Sequence, residues 1–327
     1  DNTILKAPGG TIQLGGLFSS GTVDLNNSES NLKSFAFPEN IKLGDVSLTN
    51  KSNIEVISGG GGDILVNANN FNLNNSNLRA GIKKGLGNQD AVAGDININV
   101  AENINIDNQT EIRNNLEAKS LGNGGKAGDI NIEAANKFEI ISSPINLTLG
   151  GEGRKGISSN VIRNATGNGG DISVTSPEII LSGIGGINSS TQGFGDGGTV
   201  TILTDRLNII EGAAVLSNTE RSGNAGEIFI QASEFIEVSN KLSDTRFNLP
   251  PRPPGGIIAD VRRGNREDGN SGKITLETAR LTLRDGAFIT TDTKGRGDGG
   301  NITIKATELV EVIGRGDNPN TQIVTAV

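Results

Sequence analysis

The sequence predicts an all-β protein: a single-stranded, right-handed parallel β-helix (β-solenoid) of about 10 coils with three short strands per coil. Three observations predict it. The chain repeats with a unit of 28 residues, each unit alternates apolar and polar residues with period two, and Gly, Asn or Asp turns separate the alternating runs.

The repeat is clearest in Gly197-Gly198-Thr199-Val200-Thr201-Ile202, Ser271-Gly272-Lys273-Ile274-Thr275-Leu276 and Gly299-Gly300-Asn301-Ile302-Thr303-Ile304. Aligned on the second turn residue, the units start at Gly62, Gly94, Gly128, Gly170, Gly198, Gly226, Gly272 and Gly300. Three of the steps equal 28, and the others are longer by 4, 6, 14 and 18. An earlier turn at Gly9-Gly10 leaves 52 residues before Gly62, which read as roughly two looser units. Residues 1–61 are therefore expected to form irregular amino-terminal coils. Residues 62–327 are expected to form the regular repeat, with insertions near 141–155, 239–256 and 313–321.

Within the unit at Gly272, Ile274, Leu276 and Thr278 form one alternating run, Leu281 and Leu283 a second, and Ala287, Ile289 and Thr291 a third. Three such strands cannot bury their apolar face alone, but stacked coils can, about 4.8 Å apart along the axis. Frequent Gly and β-branched alternation oppose helices, and strand crossovers favour the right-handed coil. The apolar pair of the second strand sits nine and eleven residues past the turn Gly in some units (Leu207/Ile209, Leu281/Leu283). In others it sits at ten and twelve (Ile140, Val238 and Val312 end such pairs), and the large insertions follow only these. They are expected to leave the rod at one corner. The insertion after Val238 carries four prolines, which cannot continue a ladder. It reads as a stiff, protruding loop.

Composition bounds the function. The 327 residues include 47 Gly, 34% hydrophobic residues and 3% aromatics, with no Cys, Met, His, Trp or Tyr. Zero Cys excludes a disulfide scaffold and a thiolate zinc site. A net charge of −8 without basic clusters or stacking aromatics argues against nucleic acid. No apolar run is long enough for a membrane span. A chain that begins at Asp1 and lacks Met reads as a processed form or an excerpt.

The Gly-Gly-Asn-Ile-Thr-Ile-Lys-Ala start at Gly299, the Leu-Thr-Leu-Arg-Asp-Gly-Ala-Phe-Ile run from Leu281 to Ile289 and the turn from Gly295 to Gly300 resemble the repeats of filamentous-haemagglutinin-like exoproteins. The resemblance covers nearly the whole chain and weakens before Gly62. It implies a right-handed β-helix, a role in adhesion, and export of the parent protein by an outer-membrane two-partner transporter. The amino-terminal secretion motifs of that family are not visible: Asn318-Pro319-Asn320 is followed by Thr321 and lies near the wrong end.

Candidate sites are few. Asp63, Asp95, Asp129 and Asp171 follow the turn Gly in four successive units, so their carboxylates are expected to stack one coil apart, where like charges raise pKa values or recruit a cation such as calcium. The competing reading is that turn aspartates bond a backbone N–H two residues on. Two Arg-Gly-Asp triplets occur. Arg296-Gly297-Asp298 reads as a repeat turn, since Gly193-Phe194-Gly195-Asp196 has the same form, whereas Arg315-Gly316-Asp317 lies in an insertion and is the better adhesion candidate. Ser189/Thr191, Ser217/Thr219 and Thr291/Thr293 end third strands and read either as hydroxyls bonded along a stack or as a flat ice-binding array. No calcium nonapeptide spacing is present, and no unit gains a cluster of Asp and Arg.

The expected function is an adhesive or structural stalk of a secreted or cell-surface exoprotein, on the outer-membrane exterior, with an unspecified surface or carbohydrate ligand and no catalytic residues. The runner-up is a carbohydrate-active β-helix enzyme of the polysaccharide lyase or hydrolase type. A concave groove lined by three or more converging charged residues would favour the enzyme. Cut ends of the solenoid are expected to associate end to end.

Overall fold

The computed structural model describes residues 3–27, 33–37, 41–88, 90–107, 111–116, 125–142, 155–162, 165–183, 185–240, 255–262, 269–314 and 321–326. Among them every regular element is a strand, and all but one hairpin belong to parallel stacks. The third strands form a ten-stranded sheet that runs from Ile4–Lys6 to Gln322–Val324. First and second strands share a larger sheet, which climbs from Ile12–Gly15 to Val200–Ile210 and returns to Val46–Leu48. The chain is therefore a parallel β-helix with three strands per coil, as the repeat requires.

The register follows the turn Gly. Ile274 pairs with Ile302, Ile228 with Ile274, and Ile172 with Val200. Insertions therefore leave the ladder intact on either side. The two spacings of the second strand have a local cause. From Val200 onward, first and second strands join into single bent strands such as Ile228–Ser239, and the pairing shifts by one residue between Thr204/Arg206 and Ala232/Phe235. An extra residue in one partner is a β-bulge. It absorbs the difference at the corner, so Leu207 still meets Ile236.

One hydrophobic cluster extends from Ile54 to Ile289, with Ile12 and Leu14 packed at one end and Ile302, Ile304 and Ile323 at the other. It has no break, as the apolar columns predict. Each coil is sealed by the next. Leu281 and Leu283 are fully buried, whereas Val310 and Val312, at the same positions in the last coil, are 48% and 46% exposed.

The amino-terminal expectation needs correction. Ile12 pairs with Ile64, Val46 with Phe71 and Asn53 with Asn77, so the 52 residues after Gly10 form one coil rather than two. The surplus is an excursion between first and second strands, closed by a Leu17–Leu43 bridge and containing an antiparallel hairpin, Asp24–Asn27 with Lys33–Ala36. The hairpin lies on the outside of the first strand: the Phe35 N–H donates to Gln13 Oε1 at 2.8 Å, and Phe37 covers Gly15. Alternation looks the same in a hairpin and in a parallel rung, so the sequence pattern could not separate them.

The second-to-third corner takes two forms. Uninterrupted coils turn tightly through left-handed residues, as at Glu211-Gly212 (φ 58° and 94°) and Asp285-Gly286 (φ 58° and 79°). The three large insertions begin after Ser142, Asn240 and Gly314, all at this corner. The Pro-rich insertion, 241–254, lies outside the described residues, but its neck is closed by Asn240. The Asn240 amide donates to Gly286 O at 2.7 Å and Gly255 O at 3.2 Å, and its Oδ1 accepts the Gly255 N–H at 3.0 Å.

The turn glycines have a packing reason. Ser189 and Ser217, at the ends of third strands, are fully buried and donate to Gly170 O and Gly198 O, each at 2.6 Å. A Cβ on Gly198 would collide with Gly170 O and Ser189 Oγ, whereas one on Gly16 would meet nothing within 4 Å. Gly198→Ala should therefore cost roughly 1–3 kcal/mol of stability by overpacking, and Gly16→Ala should leave the thermal midpoint nearly unchanged. Equal melting of the two variants would contradict this packing.

Candidate functional site

The stacked carboxylates are the first candidate. Asp63, Asp95, Asp129 and Asp171 do align coil over coil, and each Oδ1 accepts the N–H of its successor. Asp95 N–H reaches Asp63, Asp129 N–H reaches Asp95, and Asp171 N–H reaches Asp129, all at 2.8 Å. Thr199 N–H closes the series on Asp171 at 2.7 Å. The competing reading thus has the right chemistry but the wrong partner, since the bonded N–H belongs to the next coil. Buried backbone donors must be paired, and at this bend a side-chain oxygen supplies the acceptor.

Electrostatics fit that role. Burial lifts the Asp95 pKa, with the negative charges of Asp129 and Asp63 adding to it, while the Asp129 N–H pulls the other way. Lys126 stands beside the ladder, 3.0 Å from Asp129 and 3.9 Å from Asp171. Burial opposes its charge, but Asp129, Asp171 and Asp95 more than offset this and raise its pKa. Among the described residues no group of three or more acidic side chains is arranged to hold a metal. The residues expected to hold calcium therefore have a backbone task, with a lysine as the nearby cation.

The same device recurs at other bends. Asn168, Asp196, Asn224 and Asn270 each accept the N–H of the equivalent residue in the next coil, ending at Asp298, at 2.7–3.1 Å. Arg296-Gly297-Asp298 thus belongs to a stacked repeat turn. Arg315, Gly316 and Asp317 lie outside the described residues. A further series links Asn160, Ser190, Asn218, Asp260 and Asp292. The serines and threonines that end third strands face inward: Ser189, Thr191, Ser217, Thr219 and Thr291 are fully buried, and Thr293 is 2% exposed. The ice-array reading is overturned by that burial, because such a surface must meet solvent.

The second candidate was missed in the sequence. A surface depression is lined by Ile258, Asp260, Val261 and Arg262 of one coil and Phe288, Asp292 and Lys294 of the next. Val261 and Thr293 pair across the coils and point inward, so their neighbours point out. This makes an acidic row, Asp260 over Asp292, beside a basic row, Arg262 over Lys294. Asp260 Oδ1 accepts the Asp292 N–H at 2.8 Å and the Thr290 hydroxyl at 3.1 Å. Burial raises the Asp260 pKa, opposed by the Asp292 N–H and by Arg262. Arg262 and Lys294 are exposed; Arg262 acts on Asp260 through its charge, and neither forms a salt bridge with another described residue. The expectation that no unit gains an Asp and Arg cluster is corrected here. The signal was present as Asp-Val-Arg at 260–262 and Asp-Thr-Lys at 292–294, but the four residues by which this step exceeds the 28-residue unit hid the alignment.

Two experiments test the ladder. Asp95→Asn keeps an acceptor for the Asp129 N–H, as Asn224 does elsewhere, whereas Asp95→Ala strands that donor and should cost about 1–3 kcal/mol. Because the folded pKa of Asp95 is raised, its charge weakens the fold as pH rises through that pKa, and the penalty vanishes below the ordinary Asp pKa. Asp95→Asn should therefore melt higher than wild type at neutral pH and equally in acid; a lower midpoint at neutral pH would refute the assignment. Thermal unfolding in calcium and in chelator should give the same midpoint. A calcium-dependent rise that disappears in Asp95→Asn/Asp129→Asn would instead assign an ion to the ladder. No protein-family model, curated protein or solved structure matches the chain, so its function is read from its own residues.

Proposed function

We propose that the chain is an adhesive, structural stalk of a secreted or cell-surface exoprotein, of the kind that filamentous-haemagglutinin-like repeats resemble. One observation carries the reading: a core without a break supports three large insertions of the regular repeat that start at one corner, after Ser142, Asn240 and Gly314. A rod so built holds variable segments in line without disturbing its own ladder. Export of the parent through a two-partner transporter and a position on the outer-membrane exterior belong to the same proposal. End-to-end self-association belongs to the same proposal.

The depression at Asp260 favours a second reading, a carbohydrate-active enzyme, because it gathers four charged side chains and one of its carboxylates has a raised pKa. The two readings separate by measurement. The purified chain should attach saturably to cells or polysaccharide-coated surfaces and release no product from the polysaccharides. Absence of attachment to every surface would overturn the adhesive reading. Release of shortened or unsaturated sugars, lost in Asp260→Asn, would establish the enzyme instead.

A further inference from the structure

We propose that the depression between the coils starting at Gly226 and Gly272 binds an acidic glycan, a chain of hexuronate residues lying along the rod axis. The proposal rests on the adhesive reading and names its ligand. Its carrying observation is the paired rows: each of two successive coils contributes one carboxylate and one cation, Asp260 with Arg262 and Asp292 with Lys294. Within a row the groups repeat at the coil spacing, about 4.8 Å, and the rows stand two residues apart on the strand, roughly 6.6 Å.

This pattern selects among ligands. Arg262 and Lys294 are exposed cations that form no salt bridge with a described residue, and a guanidinium fork matches a carboxylate. A bare polyanion suits them poorly, because Asp260 and Asp292 stand alongside and repel it. The ligand must also bring donors to the acidic row. Asp260 already holds two donors on Oδ1, whereas the Asp292 side chain accepts no hydrogen bond from a described residue. Sugar hydroxyls supply such donors, and a uronate carries them beside its carboxylate. Phe288, half-buried, adds an apolar surface for the C–H face of a pyranose ring. The two-coil duplication favours a repeating ligand. A pyranose unit is about as long as one coil is high, while an extended peptide presents the same face only every two residues, about 6.6 Å.

The test is calorimetric titration of the full chain with an unsulfated hexuronate tetramer and with the same tetramer after reduction of its carboxylates to alcohols. The acidic tetramer should bind, and the reduced one should bind at least about tenfold more weakly. Arg262→Ala/Lys294→Ala should also lose at least about tenfold while keeping a cooperative thermal transition, since neither side chain hydrogen-bonds to a described residue. Asp292→Asn is the decisive variant. A built sugar site loses a charged acceptor and weakens, whereas a surface that merely attracts polyanions loses a repulsive charge and binds more tightly. No binding of the acidic tetramer, equal binding by the double variant, or tighter binding by Asp292→Asn would each overturn the proposal. Surface attachment retained by the double variant would place the adhesive contact elsewhere on the rod and overturn only this site.

Discussion

Every part of this molecule depends on one constraint: successive coils must meet backbone to backbone at a fixed rise, including where the chain bends. Along the strands the parallel ladder does this unaided, as in the ten-residue register between Ile274–Arg284 and Ile302–Ile313. At the bends the peptide groups rotate away, and N–H groups would be left without carbonyls. Side-chain oxygens take over there. Asp45 accepts from Asn70, Asp63 from Asp95, Asn168 from Asp196 and Asn160 from Ser190, always from the following coil.

That shared role explains the freedom and the limits of the repeat. Any short side chain with an acceptor oxygen serves, so Asp, Asn and Ser exchange along a series without loss of register. Charge is incidental to the bond. Where aspartates accumulate, a neighbouring cation accompanies them, as Lys126 does beside Asp129. Glycine is less replaceable. The buried serines that close third strands occupy the space a Cβ would need at Gly198 and Gly226, so chain path and side-chain packing are fixed by the same contact.

Function has to be added where this lattice permits. Inward positions are committed to the apolar core and to buried hydroxyls, which removes the serine and threonine columns from the surface. Outward positions beside a bend remain open, and there Asp260 keeps its structural bond to Asp292 while facing the depression. A residue that serves the ladder with one oxygen can offer chemistry with the other. In this way a uniform scaffold acquires a local site without interrupting the repeat.

The sequence by itself determined the fold class, the 28-residue unit, the inward columns and the corner from which the large insertions of the regular repeat depart, because each of these is periodic along the chain. It also located the aspartate ladder, since Asp63, Asp95, Asp129 and Asp171 keep a constant offset from a turn Gly. Only the tertiary structure decided what those carboxylates bond, because the partner lies one coil away and an acceptor looks the same for an N–H or an ion. It decided too that the segment before Gly62 is one coil with an outer hairpin, since both alternate alike. And it alone brought Asp260 and Arg262 beside Asp292 and Lys294, residues 32 apart in the chain, because the step between coils, hidden by insertions of unequal length, is set by backbone pairing rather than by residue count.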